Sequence, residues 1–106
     1  MHEQHVALIA SELSLQTQQV QATITLFDEG GTVPFIARYR KESTGLLDEV
    51  AIMDIRDRLE QLRELDKRRE TILKSLEDQG VLSDELRAKV IAAKTLSTLE
   101  DIYLPY

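Results

Sequence analysis

The sequence predicts an all-α fold of five to six helices with no sheet. Three observations carry this. Glycine occurs four times and proline twice in 106 residues, so helix breakers are confined to a few points. Between those points, apolar residues recur at spacings of three and four. No segment alternates β-branched and polar residues with a period of two.

The elements follow in order. Residues 3–13 place Val6, Ile9, Ala10 and Leu13 at helical spacing. A break at Ser14-Leu15 leads to a second helix, 17–29, with Val20, Ile24 and Phe27 on one face, so the first two helices form a helix-turn-helix-like pair. Gly30-Gly31 supplies a left-handed stop. Thr32 caps a short helix with Pro34 in its first turn and Phe35, Ile36 and Tyr39 as its apolar side. Ser43-Thr44-Gly45 closes it.

Residues 48–79 contain no glycine or proline and predict one spine helix of about 48 Å. Its stripe is Ile52, Ile55, Leu59, Leu62, Leu65, Ile72 and Leu76, with Leu59 and Leu62 expected among the most buried residues. Asp54/Arg58, Glu64/Arg68 and Glu70/Lys74 are acid-before-base pairs four residues apart. Gly80 ends the helix. Ser83 caps another over 84–93, and Ser97-Thr98-Leu99-Glu100 reads as a capping box for a last short helix that Pro105 stops.

The chain carries 13 Lys and Arg against 19 Asp and Glu, a formal charge of −6. Residues 1–47 contribute −2, residues 48–79 −3 and residues 80–106 −1. No segment is basic, which argues against a module that grips nucleic acid by charge alone. No apolar run is long enough to span a membrane, and no secretory signal opens the chain. The absence of cysteine excludes disulfides, thiol catalysis and Cys-zinc sites. The composition fits one cytoplasmic domain.

Catalytic chemistry has little support in the residues. His2 and His5 stand at the terminus, where a frayed, solvated end accounts for them. The carboxylates are interleaved with bases on the long helix, as on a solvated face. Ser and Thr cluster at helix starts, where capping explains them. No phosphate-cradling glycine motif is present. The expectation is no enzyme, no metal and no cofactor.

Two basic clusters remain. Arg38-Tyr39-Arg40-Lys41 encloses an aromatic, so arginine can fork onto phosphate while tyrosine stacks on a base. Packing of Tyr39 in the core, with the cations on nearby carboxylates and helix-end carbonyls, is the alternative. Lys67-Arg68-Arg69, with Arg63 one turn earlier, is flanked by Glu64, Asp66 and Glu70 and reads as a solvated helix face. These eight residues are the candidate contacts for nucleic acid or for other domains.

The stretch TVPFIARYRKE at residues 32–42, then Thr44-Gly45, Leu62-Arg63-Glu64-Leu65, Arg68-Arg69 and LEDIYLPY at 99–106, resembles the N-terminal region of the bacterial transcriptional accessory protein Tex family. Leu26-Phe27-Asp28-Glu29-Gly30 fits as well, and the resemblance covers essentially the whole chain. It implies a cytoplasmic protein much longer than this chain. In that family a YqgF-type RNase H-like domain without a convincing nuclease site, helix-hairpin-helix elements and a C-terminal OB-fold follow, and nucleic-acid binding belongs chiefly to the OB-fold. The architecture is similar to the core of a eukaryotic elongation factor that travels with RNA polymerase. The family chain continues beyond LPY into a strongly basic segment.

Residues 1–106 are therefore expected to be a single helical N-terminal domain, a fragment of a multidomain protein. Its expected role is that of a scaffold that contacts its own other domains, RNA polymerase or the transcription machinery, with RNA or DNA held downstream and no membrane involved. Two other readings stand beside it. One is a direct nucleic-acid module using residues 38–41; the other is a part of a nucleic-acid hydrolase.

Overall fold

The computed structural model describes residues 2–106, with side chains from His5 onward. Among the described residues there are six helices and no strand: α1 (His2–Leu13), α2 (Thr17–Asp28), α3 (Val33–Tyr39), α4 (Glu49–Asp78), α5 (Asp84–Ala92) and α6 (Leu96–Tyr103). None is long and apolar enough to cross a membrane. The chain divides into two compact units, one reaching to Gln61 and the other Leu62–Tyr106. α4 runs through the boundary, giving residues 49–61 to the first unit and 62–78 to the second.

In the first unit, α1 packs against α2. Ile9, Val20, Ile24, Ile36, Ile52 and Ile55 are all essentially inaccessible to solvent. The break between α1 and α2 is a left-handed ending in which Ser14 takes φ 58°. The Leu15 amide donates to the Ala10 carbonyl five residues back at 2.9 Å, which satisfies a helix-end carbonyl. The α2 ending repeats this bond, from the Gly31 amide to the Leu26 carbonyl, with Gly30 as the left-handed residue at φ 94°. Gly31 serves a different purpose from the expected stop. A Cβ there would lie 3.0 Å from the Leu26 carbonyl oxygen and 3.1 Å from Ile36 Cγ1, so close approach is what demands glycine.

His5 departs from the frayed, solvated end expected of it. Within α1 it shares a face with Ile9 one turn later, and it is buried at 9% exposure. The His2 side chain lies outside the described residues.

α4 is 30 residues long, with Asp48 as its cap: the Ala51 amide donates to Asp48 Oδ1 at 2.8 Å. Every residue of the expected stripe is buried. Leu59 and Leu62 are at 3% and 4% exposure, while Ile52, Ile55, Ile72 and Leu76 reach 0%.

The second unit closes around Leu65, Ile72, Leu76, Leu86, Val90 and Leu99. Ser83 caps α5, its hydroxyl accepting from the Leu86 amide at 3.1 Å. α6 starts earlier than the Ser97 capping box implies. Thr95 is its cap, accepting from the Thr98 amide at 3.1 Å, so Ser97 already lies inside the helix. The register that results buries Leu99 completely and leaves Glu100 free to bond elsewhere. Tyr103 joins α6 to α4 through a 2.6 Å hydrogen bond between its hydroxyl and that of Ser75.

Candidate nucleic-acid interface

α3 owes its position to Thr32 and Pro34. The Thr32 hydroxyl accepts from the Phe35 amide at 3.3 Å, and proline fits the first turn because its missing N–H has no partner there anyway. Val33 and Ile36 face the core. Phe35 and Tyr39 do not complete that apolar side. One residue is about 100° of helix, so they occupy a different face from Ile36, at 41% and 60% exposure. Their rings sit 5.3 Å apart between centroids, tilted by 45°. The guanidinium of Arg40 lies 4.9 Å from the Phe35 centroid and donates to the Tyr39 carbonyl at 3.1 Å, so a cation and two rings form one cluster.

The turn after α3 is tied down on three sides. The Leu46 amide donates to the Lys41 carbonyl at 2.8 Å, and the buried Thr44 hydroxyl donates to the same carbonyl at 3.1 Å. Gln19 of α2 reaches across to donate from Nε2 to the Gly45 carbonyl at 3.1 Å. Gly45 takes φ 70°, and a Cβ there would meet Gln19 Cγ at 3.0 Å. Arg38, Tyr39, Arg40, Lys41, Glu42 and Ser43 thus line a shallow depression of about 490 Å³. A second, of about 380 Å³, lies between Pro34, Ala37, Arg38, Lys41 and Glu49. Arg38, Arg40 and Lys41 are all exposed, and among the described residues no ion pair engages them.

The arginines of α4 behave differently. Arg69 is only 18% exposed at its side chain. It donates from Nε to the Val90 carbonyl at 3.0 Å, from one terminal nitrogen to the Ala93 carbonyl at 2.7 Å and from the other to Asp66 at 2.9 Å. Both carbonyls lie at the C-terminal end of α5, where the helix dipole favours a cation, and that of Val90 also accepts from the Ala93 amide at 3.4 Å. Arg68 forks onto the Glu100 carboxylate, one bond at 2.9 Å, and stands 5.5 Å from the Tyr103 ring centroid. This pairing raises the Arg68 pKa and lowers that of Glu100, chiefly through the hydrogen bonds. Arg63 is half-buried and Lys67 exposed.

The local pairs expected for Arg58 and Arg68 give way to distant carboxylates. Arg58 forks onto Glu12 of α1 at 2.7 and 3.0 Å, and Arg68 onto Glu100. A bidentate acceptor held by another helix offers better geometry than a flexible neighbour one turn away. Phe35 is the member of the 38–41 cluster that the sequence reading did not place there. Its spacing of four from Tyr39 was the available signal.

Among the described residues no group of three or more His, Asp or Glu is placed to hold a metal ion. Comparison with known proteins gives a consistent picture. Residues 3–77 match the family model of the Tex-like protein N-terminal domain. The transcriptional accessory protein Tex of Neisseria gonorrhoeae is 54% identical over 93% of this chain and 13% of its own length. Protein YhgF of Escherichia coli is 48% identical over the whole chain and 14% of its own length. The human S1 RNA-binding domain-containing protein 1 is 29% identical over 95% of the chain and 10% of its own length. The chain thus spans about an eighth of the bacterial relatives it matches. With the family model covering most of its residues, the chain belongs to the Tex-like N-terminal domain family.

Proposed function

We propose that residues 1–106 are a non-catalytic organising module of a cytoplasmic Tex-like transcription accessory protein, whose main grip on RNA or DNA lies in downstream domains. The observation that carries this reading is where the arginines of α4 go. Arg69 closes the end of α5, Arg68 holds α6 and Arg58 holds α1, so these three cations of the longest helix serve the module's own architecture. The net charge of −6 agrees with a part that does not attract phosphate at a distance. The name of the human relative, an S1 RNA-binding domain-containing protein, supports RNA as a ligand of the longer protein.

The partners in this reading are the other domains of the full-length protein and RNA polymerase or its associated machinery. Exposed apolar residues such as Val50, Ile91 and Leu104, at 65%, 55% and 82%, supply surface for such contacts. The test is to compare the isolated 106 residues with the full-length protein for RNA and DNA binding at about 0.15 M salt, where charge contacts are screened as in the cell. The module is expected to bind far more weakly. Equal affinity would place the grip here, and metal-dependent nuclease activity from the isolated module would overturn its non-catalytic role.

A further inference from the structure

We propose that residues 35–41 form an accessory ledge for single-stranded nucleic acid, on which Tyr39 stacks against a base while Arg38, Arg40 and Lys41 meet the phosphates. The proposal rests on the chain working within a nucleic-acid-binding protein, and it assigns to that module a contact of its own.

Three features converge on it. Tyr39 is 60% exposed, and its ring lies 5.3 Å from that of Phe35, on which the Arg40 guanidinium already rests, so a base joins a cluster of flat groups that exists without it. Three cations lie within four residues, and no carboxylate among the described residues pairs with them. Arg38 and Arg40 stand on α3 and its cap, and the turn that carries Lys41 is tied by Gln19 and Thr44, so little backbone ordering is needed on binding.

The same features select single strands. A duplex hides its base faces in the stack, where a tyrosine ring cannot reach them. α3 has seven residues, and α2 contains no Lys or Arg, so the helix-turn-helix-like pair offers no basic recognition helix for a major groove. An acidic protein segment would use the cations but would leave the open ring without a role.

The experiment measures binding of the full-length protein to labelled oligouridylate, oligothymidylate and a DNA duplex across salt concentration. Tyr39→Ala is expected to weaken single-strand binding about five-fold or more without changing its salt slope, while Tyr39→Phe binds as the parent does. Replacing Arg38, Arg40 and Lys41 by Ala is expected to lower the slope by about 2, at ~0.7 per lost phosphate contact. Loss on both single strands points to base and phosphate alone, and loss on oligouridylate only adds the ribose hydroxyl. Single-strand affinity and slope unchanged in both variants would overturn the proposal, even if they lost an acidic protein partner. So would an equal effect of Tyr39→Ala on the duplex. The organising role fails differently: removal of residues 1–106 would then abolish binding that these point variants largely keep.

Discussion

The clusters at 38–41 and 67–69 each place three cations within a few residues of an acidic chain. In the second unit, Arg68 and Arg69 are consecutive on a helix and therefore point about 100° apart. One meets the Glu100 carboxylate and the other the carbonyls that end α5. In the first unit, the cations sit at the end of a short helix and in the turn after it, where the structure offers them one ring and one carbonyl. What a basic run does is thus decided by the acceptors that the fold brings within reach.

Several substitutions would sharpen or break this contrast. The largest effect is expected from Leu76→Ala, which opens a cavity at a fully buried position of the second unit and should cost about 2–5 kcal/mol in urea unfolding. This sets the scale of apolar packing against which the arginine ties are judged. Arg69→Leu keeps the aliphatic bulk but takes the charged donor from the Ala93 carbonyl and leaves that of Val90 with the Ala93 amide alone, and should cost about 1–3 kcal/mol by the same measurement. A cost under ~0.5 kcal/mol would place Arg69 with ordinary surface residues and dissolve the contrast.

Glu100→Gln should have a smaller effect, because the pair is exposed to solvent. Its pH dependence identifies it. Arg68 holds the Glu100 carboxyl below its ordinary value of 4.5, so the pair stabilises the fold above that pH and ceases to as pH falls through the depressed value. The stability gap between parent and variant at neutral pH should therefore close in strongly acidic solution. A gap that stayed constant into that range would contradict the assignment. The smallest effect is expected from Ala at Arg38, Arg40 and Lys41 together, within about 0.5 kcal/mol of the parent, since these side chains support no other element.

Local chemistry made much of the fold legible. Thr32 and Ser83 cap the helices that follow them, Gly30 and Gly80 turn left-handed at φ 94° and 73°, and the stripe of α4 is buried along its length. Each signal acts within one or two turns of helix. The misreadings concern contacts between segments far apart in sequence. Ser97 and Glu100 have the spacing of a capping box, but Thr95 caps α6 and Glu100 answers to Arg68, 32 residues earlier. Arg58 passes over the nearby Asp54 for Glu12, 46 residues away. His5 belongs with them: it lies inside the helix expected from residue 3, but its burial depends on what packs against that turn and not on the local signal. At the candidate interface, the four cationic and aromatic positions were visible as a run. The spacing of four links Phe35 to Tyr39, but seven residues are too few for periodicity to tell that this pair faces outward while Ile36 faces the core.

The central claim is that residues 1–106 organise a nucleic-acid-binding protein and add only a small contact to its grip. The most direct measurement is the salt dependence of single-stranded RNA binding by the full-length protein with and without these residues. Most of the affinity should survive their removal, with the slope falling by no more than it does when Arg38, Arg40 and Lys41 are replaced by Ala. Loss of nearly all affinity, or a far steeper fall in slope, would show that the grip resides in these 106 residues and would contradict the account.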